Sequence, residues 1–211
     1  RTQEILFELN ALAETHSIPK LPIYLDSPLA IGVTEVFRRY KNYYNQTTKA
    51  QVARGDDPFA FANLTFTQTV TESKRINVVP NPKVIIAGSG MLQGGRIVHH
   101  LVRYLGDDRT TILFVGYQVA GTLGRRLIEG ERVVHVLREQ IRVRAKLQEL
   151  PEFSGHADQT QLVEWTQSMH APRPRVFLNH GELTSMRALS LKLAQKGFKS
   201  IIPSIGESFQ L

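Results

Sequence analysis

The chain of 211 residues carries 26 Lys and Arg against 19 Asp and Glu, a formal net charge of +7, with 42% apolar and 21% charged residues. That balance excludes a disordered chain, and the length fits one large domain or two small ones with a real core. No apolar run approaches the roughly 18 to 20 residues that a membrane-crossing helix needs, and the absence of cysteine excludes disulfides, thiolate metal sites and a cysteine nucleophile. A cytoplasmic location is the matching expectation, and the positive charge favours an anionic partner such as nucleic acid.

Residues 2–15 carry Ile5, Leu6, Leu9, Leu12 and Ala13 at helical spacing, and the chain starts inside this pattern without a Met, as expected of a piece of a longer protein. Leu21 to Asp26 reads as a short strand, after which Ser27 and Pro28 supply an N-cap and a first-turn proline for a helix through Arg39. Residues 41–82, polar and aromatic, read as short helices and loops. A buried strand follows over 84–87, then a Gly88-Ser89-Gly90 turn, a helix from Gly95 to Leu105, a strand over 110–116 and a helix from Gly121 to Ile128. Strand, glycine-rich turn, helix, strand is the pattern of a parallel α/β sheet. Beyond a module boundary near Gly130, residues 133–137 and 141–147 read as paired strands with alternating polarity. A helix over 158–168, a strand over 176–179, a helix over 182–196 and a final strand over 200–203 complete the chain.

Five groups of residues could carry chemistry. Asp26 sits at a strand end before a helix, where α/β sheets place ligand contacts, although an Asp-Ser pair there also serves as a plain helix cap. His156, in Ser154-Gly-His-Ala-Asp158, lies on a turn where an imidazole can act as a general acid or a ligand; a surface histidine would look the same. His180 ends the apolar stretch Val176-Phe-Leu and is followed by Gly181; it supplies one metal donor at most. The seven histidines contain no HxH, HxxxH or HExxH spacing, and His99 and His100, adjacent on a helix, point about 100° apart. The turn from Gly88 to Arg96, with Ser89 and Gly90, has the amides and glycines of a phosphate cradle and loosely the spacing of a dinucleotide turn. The next strand, however, ends Val115-Gly-Tyr-Gln118 with no acid for a ribose. Gly121 and Thr122 open a helix followed one turn later by Arg125 and Arg126, suited to an anion or simply to a structural turn.

In order, the segments IIAGSGMLQGGRIVHHL (85–101), LFVGYQVAGTLGRRL (113–127), FSGHADQTQL (153–162) and VFLNHGE (176–182) resemble the β-CASP branch of the metallo-β-lactamase superfamily, which contains RNA-processing nucleases. The resemblance implies an α/β β-CASP module with a parallel, helix-flanked sheet over 1–129. It implies that 130–211 form the C-terminal part of a lactamase αββα domain. It matches Asp26 to the family's acidic motif A, His156 to motif B and His180 to motif C. The implied chemistry is hydrolysis of RNA phosphodiester bonds by a hydroxide activated between two zinc ions, with His180 a zinc ligand. His156 would act at the scissile phosphate and Asp26 would hydrogen-bond that imidazole. Ser89, Gly90, Arg96, Gly121, Thr122, Arg125 and Ser154 would contact the RNA backbone. The family's HxHxDH motif is absent from this chain, so the expected partner besides RNA is an N-terminal lactamase half, without which little zinc and no activity are expected. An apolar face left open by that half would favour a homodimer. A non-catalytic RNA-binding scaffold and a nucleotide-binding enzyme are the competing readings.

Overall fold

The computed structural model describes residues 1–150, 153, 155–170 and 172–210, and the chain divides into two units, Arg1–Ser154 and Gly155–Leu211. In the first, the apolar spacing of the N-terminal segment produces helix α1 (Thr2–Glu14), with Leu6 fully buried. Strand β1 (Ile23–Leu25) is the centre of a parallel three-stranded sheet in the order β2-β1-β3, where β2 is Leu64–Phe66 and β3 is Val84–Ile86. Ile23 and Leu25, two apart and so on the same face, enter a core with Leu6, Phe59, Phe61 and Ile31 of helix α2 (Pro28–Arg39). Ser27 starts α2 as expected: its hydroxyl accepts from the Ala30 amide at 3.4 Å, with Pro28 in the first turn.

The illegible stretch 41–82 contains a 3₁₀ turn (Lys41–Tyr43), α3 (Gln46–Ala53), α4 (Val70–Arg75) and a second 3₁₀ turn (Ile76–Val78). Strand β2 is the element missed there. Leu64 and Phe66 are only partly buried and Thr65 is exposed, while Phe59 and Phe61, which dominate the local pattern, reach the core from outside any strand.

After β3 the chain forms α5 (Ile97–Tyr104), β4 (Thr111–Phe114), α6 (Leu123–Ile128), β5 (Val133–Val136), β6 (Glu139–Arg142) and β7 (Lys146–Glu149). Two expectations are corrected. Strands β3 and β4 are not hydrogen-bonded to each other: β3 pairs with β1, and β4 pairs in parallel with β7. The stretch 141–147 is not one strand. Residues 139–142 form a hairpin with β5 across a two-residue turn at Leu137, whose φ is +55°, and Val143 and Ala145 turn into the core before β7 begins. That second core joins Val98, Leu101 and Leu105 around α5 to Phe114, Leu127, Val134 and Val136. Leu101 is completely buried. Leu101→Ala is therefore expected to cost about 2–5 kcal/mol through lost transfer energy and a residual cavity, measured as a shift in urea midpoint at constant slope.

In the second unit, Asp158 caps α7 (Gln159–Gln167) in a capping box with Gln161, which explains the start of that helix. Strand β8 (Val176–Phe177) pairs in parallel with β9 (Ser200–Ile201), and α8 (Leu183–Gln195) lies between them in sequence. Val163, Leu178, Leu193 and Phe198 form its core. The architecture is thus α/β with helix-flanked parallel sheets, and among the described residues no helix is long and apolar enough to cross a membrane.

Candidate functional site

Asp26 follows the central strand β1 and has no exposed surface. Its Oδ1 accepts from the Thr67 hydroxyl at 2.6 Å and from Arg96 Nη1 at 2.7 Å; its Oδ2 accepts from the Ser73 hydroxyl at 2.7 Å and from His100 Nε2 at 2.7 Å. A carboxylate offers about four acceptor positions, and all four are filled from within the first unit. Burial pushes the Asp26 carboxyl upward, but the hydrogen bonds from Thr67, Ser73, His100 and Arg96 together outweigh it and hold it below the usual carboxylate range.

Arg96, the N-cap of α5, and His100, one turn into it, converge on this carboxylate because positions i and i+4 share a helix face. Arg96 also donates to the backbone carbonyls of Thr67 at 2.6 Å and Gln68 at 2.6 Å, fixing the end of β2. The ring of His100 lies stacked 6.3 Å from that of Tyr104. Sequence reasoning misses His100: as half of a His-His pair it shows no metal role, and its spacing of four from Arg96 is the signal that points to it. The imidazole paired with Asp26 by family resemblance, His156, lies in the second unit.

The glycine turn between β3 and α5 is closed by three backbone bonds. The Ser89 amide donates to Gly94 at 3.3 Å, Leu92 to Ser89 at 3.1 Å, and Ile97 to Gly88 at 3.1 Å. Gly95 has φ +68°, and a Cβ there would collide with the Gly88 carbonyl, so the helix begins at Ile97 rather than at Gly95 as the sequence suggested. Gln118, almost fully buried, ties this turn to the next one: its amide donates to Gly90 O at 3.0 Å and to Gly116 O at 2.9 Å. A side chain at Gly124 would run into the Gln118 amide. The structure therefore joins Ser89 and Gly90 to the turn containing Gly121 and Thr122. Thr122 is buried as the N-cap of α6; its hydroxyl donates to Val119 O at 2.7 Å and accepts from the Arg125 amide at 3.3 Å. Arg125 Nε donates to Glu129 at 2.6 Å and its Nη1 to Gln118 O at 3.3 Å.

In the second unit, His156 is exposed ahead of α7. His180 is exposed between β8 and α8 at φ +62°, a conformation that costs a non-glycine residue, and its amide donates to Asn179 Oδ1 at 2.9 Å. Ser154 lies outside the described residues. Among the described residues, no group of three or more His, Asp or Glu side chains could hold a metal ion. A lone His180 does not make a zinc centre, which needs three or four ligands, so the residues present do not fit a complete one.

Comparison with known proteins decides the family. The Beta-Casp domain profile matches residues 2–127. The chain belongs to the β-CASP family. This β-CASP chain also matches, over residues 140–203, a domain described as the Zn-dependent metallo-hydrolase RNA specificity domain. It is 41% identical over 207 residues to Ribonuclease TTHA0252 of Thermus thermophilus, an alignment covering 98% of this chain and 47% of that protein. It is 32% identical to an RNase J-like protein of Methanocaldococcus jannaschii, over 95% of this chain and 44% of the relative. It is also 32% identical to the transcription termination factor FttA of Methanosarcina mazei, over 86% of this chain and 29% of the relative. The β-CASP chain spans less than half the length of each of these three.

Proposed function

We propose that the chain is the RNA-acting portion of a zinc-dependent ribonuclease that hydrolyses phosphodiester bonds, inactive until an N-terminal lactamase half supplies the missing metal ligands. The observation that carries this reading is the display of His156 and His180, both exposed on loops directly ahead of α7 and α8, within the stretch that matches an RNA specificity domain. His180, presented at a strained backbone position, would donate one imidazole nitrogen to zinc. His156 would hold a proton for the leaving oxygen of the cut RNA. Ser89, Gly90, Gly121 and Ser154 would face the RNA backbone. To Asp26 and Arg96 we assign positioning: their mutual bond and the Arg96 contacts to Thr67 and Gln68 hold the end of β2 against α5. We take 1–129 as the β-CASP module and 130–211 as the returning lactamase segment, in a cytoplasmic protein. Exposed Trp165 and Leu191 on the second unit support association there with the N-terminal half or a second copy.

The test is reconstitution. The chain co-expressed with a half bearing HxHxDH, and supplied with zinc, should cut single-stranded RNA, whereas the chain alone should not. His156→Ala in the assembled protein should lower kcat by about 100-fold or more, and His180→Ala should lower both cleavage and zinc content. Unchanged cleavage in His156→Ala would overturn the assignment.

A further inference from the structure

The segment joining α2 to α3 plays no part in the site above, yet it has an unusual surface. Residues 38–49 hold Arg38, Arg39, Lys41 and Lys49 with no carboxylate among them, interleaved with Tyr40, Tyr43 and Tyr44. The three tyrosines divide their roles. Tyr44 faces inward: its hydroxyl donates to Phe37 O at 2.8 Å and its ring meets the buried Phe59 edge-on at 6.4 Å. Tyr40 and Tyr43 face out, 53% and 85% exposed.

These outward rings are not on a loose loop. The Tyr43 amide donates to Tyr40 O at 3.0 Å and the Tyr44 amide to Lys41 O at 3.1 Å, closing the 3₁₀ turn. Asp57 takes Arg38 at 3.3 Å and Lys41 at 3.6 Å, pinning the turn to the body from the other side. Those pairs neutralise part of the local charge, but Arg39 and Lys49 are exposed and have no ion pair among the described residues. With the backbone of the turn already fixed, only the side-chain rotations of the two rings are left to be ordered when something stacks on them. The two ring centres are 6.2 Å apart and inclined at 60°, so they form no parallel slot; each offers its own open face. Exposed aromatic faces on a fixed turn, with unpaired cations close by in the chain and a net charge of +7, match the chemistry of a flexible polyanion with unstacked bases.

We infer that Tyr40 and Tyr43, with Arg39 and Lys49, form an accessory platform for single-stranded RNA, each ring stacking one base while the cations take neighbouring phosphates. The choice of RNA as the strand rests on the proposed function; the stacking itself does not. Such a platform tolerates any sequence, because every base has a π face, and it disfavours duplexes, whose bases are already stacked.

The test uses the 211-residue chain and a fluorescent oligoadenylate of about a dozen nucleotides, with an RNA duplex of equal length as comparison, read by anisotropy. Wild type should bind the single strand more tightly than the duplex. Tyr40→Ala with Tyr43→Ala should weaken single-strand binding by about tenfold or more and leave duplex binding unchanged, whereas Tyr40→Phe with Tyr43→Phe should bind as wild type. Arg138→Glu, an exposed charge reversal in the β5–β6 turn, should have the smaller effect of general electrostatics. The single variant Tyr43→Ala, altering a side chain in open solvent, guards against a folding defect in the double variant. Single-strand binding unaltered in both alanine variants, or lost equally in the phenylalanine variant, would overturn the platform. So would a wild type that binds no RNA but self-associates in light scattering through these tyrosines, because the face would then be a protein contact. The nuclease reading is judged separately: reconstituted cleavage with tyrosine-independent binding sinks only the platform, and tyrosine-dependent binding without reconstituted cleavage sinks only the nuclease.

Discussion

Asp26→Ala is expected to destabilise the first unit by about 3–5 kcal/mol, because it takes the counter-charge from the partly buried Arg96 guanidinium and leaves three further donors without this acceptor. Removing one partner of a buried charged network costs far more than the network contributes, and here a single side chain serves Thr67, Ser73, Arg96 and His100 at once. Asp26→Asn preserves the volume but turns an NH₂ toward two of those donors, so it recovers only part of the loss. The network also sets an acid limit. The Asp26 carboxyl titrates lower in the folded chain than in the unfolded one, so its contribution is fully present above the unfolded value of about 4 and is lost as the pH falls through the folded value. Thermal melts of wild type and Asp26→Asn between neutral pH and about pH 3 should converge as the pH drops below about 4. A gap in Tm that stays constant across that window would show that the charge is not what stabilises the wild type.

Gly95→Ala is expected to be the second severe change, at about 2–4 kcal/mol. Two independent penalties coincide there: a φ of +68°, and a methyl group pressed onto the Gly88 carbonyl, which cannot retreat because it already accepts from the Ile97 amide. Gly90→Ala in the same turn meets open space and has no positive φ, so it should stay within about 0.5 kcal/mol of wild type. Urea unfolding of the two variants side by side checks the contrast. Equal losses would mean that the turn is sensitive to any side chain rather than to the geometry at Gly95.

The elements with strong local signals were readable from the residues. Ser27-Pro28 starts a helix because a hydroxyl cap followed by a proline satisfies the first turn by itself, and Asp158 with Gln161 does the same for α7. What could not be read is what depends on distant partners. Strand β2 is three residues whose identity comes from lying beside β1, and the split at Val143–Ala145 arises because β7 has β4 to pair with. The site divides in the same way. Asp26 stood out by its place at a strand end, but its imidazole partner within the unit is His100, brought from 74 positions away by α5. Arg96 was visible as a cation beside a glycine turn, whereas its bonds run inward to Asp26, Thr67 and Gln68. A lone sequence cannot tell a cation that meets a ligand from one that ties two loops, because both need the same residue type near the same turn.

The parallel pairing of Thr111–Phe114 with Lys146–Glu149 has a consequence for how the chain is made. Ribosomal synthesis delivers β4 well before β7, and a parallel neighbour cannot be replaced by a nearby hairpin strand in the interval. Until β7 emerges, β4 presents an open edge bearing Leu113, so the nascent chain passes through a sticky stage that a truncation after α6 would make permanent. Expressed on its own, a segment stopping there should require chaperones or aggregate, although it contains every residue that matches the Beta-Casp profile.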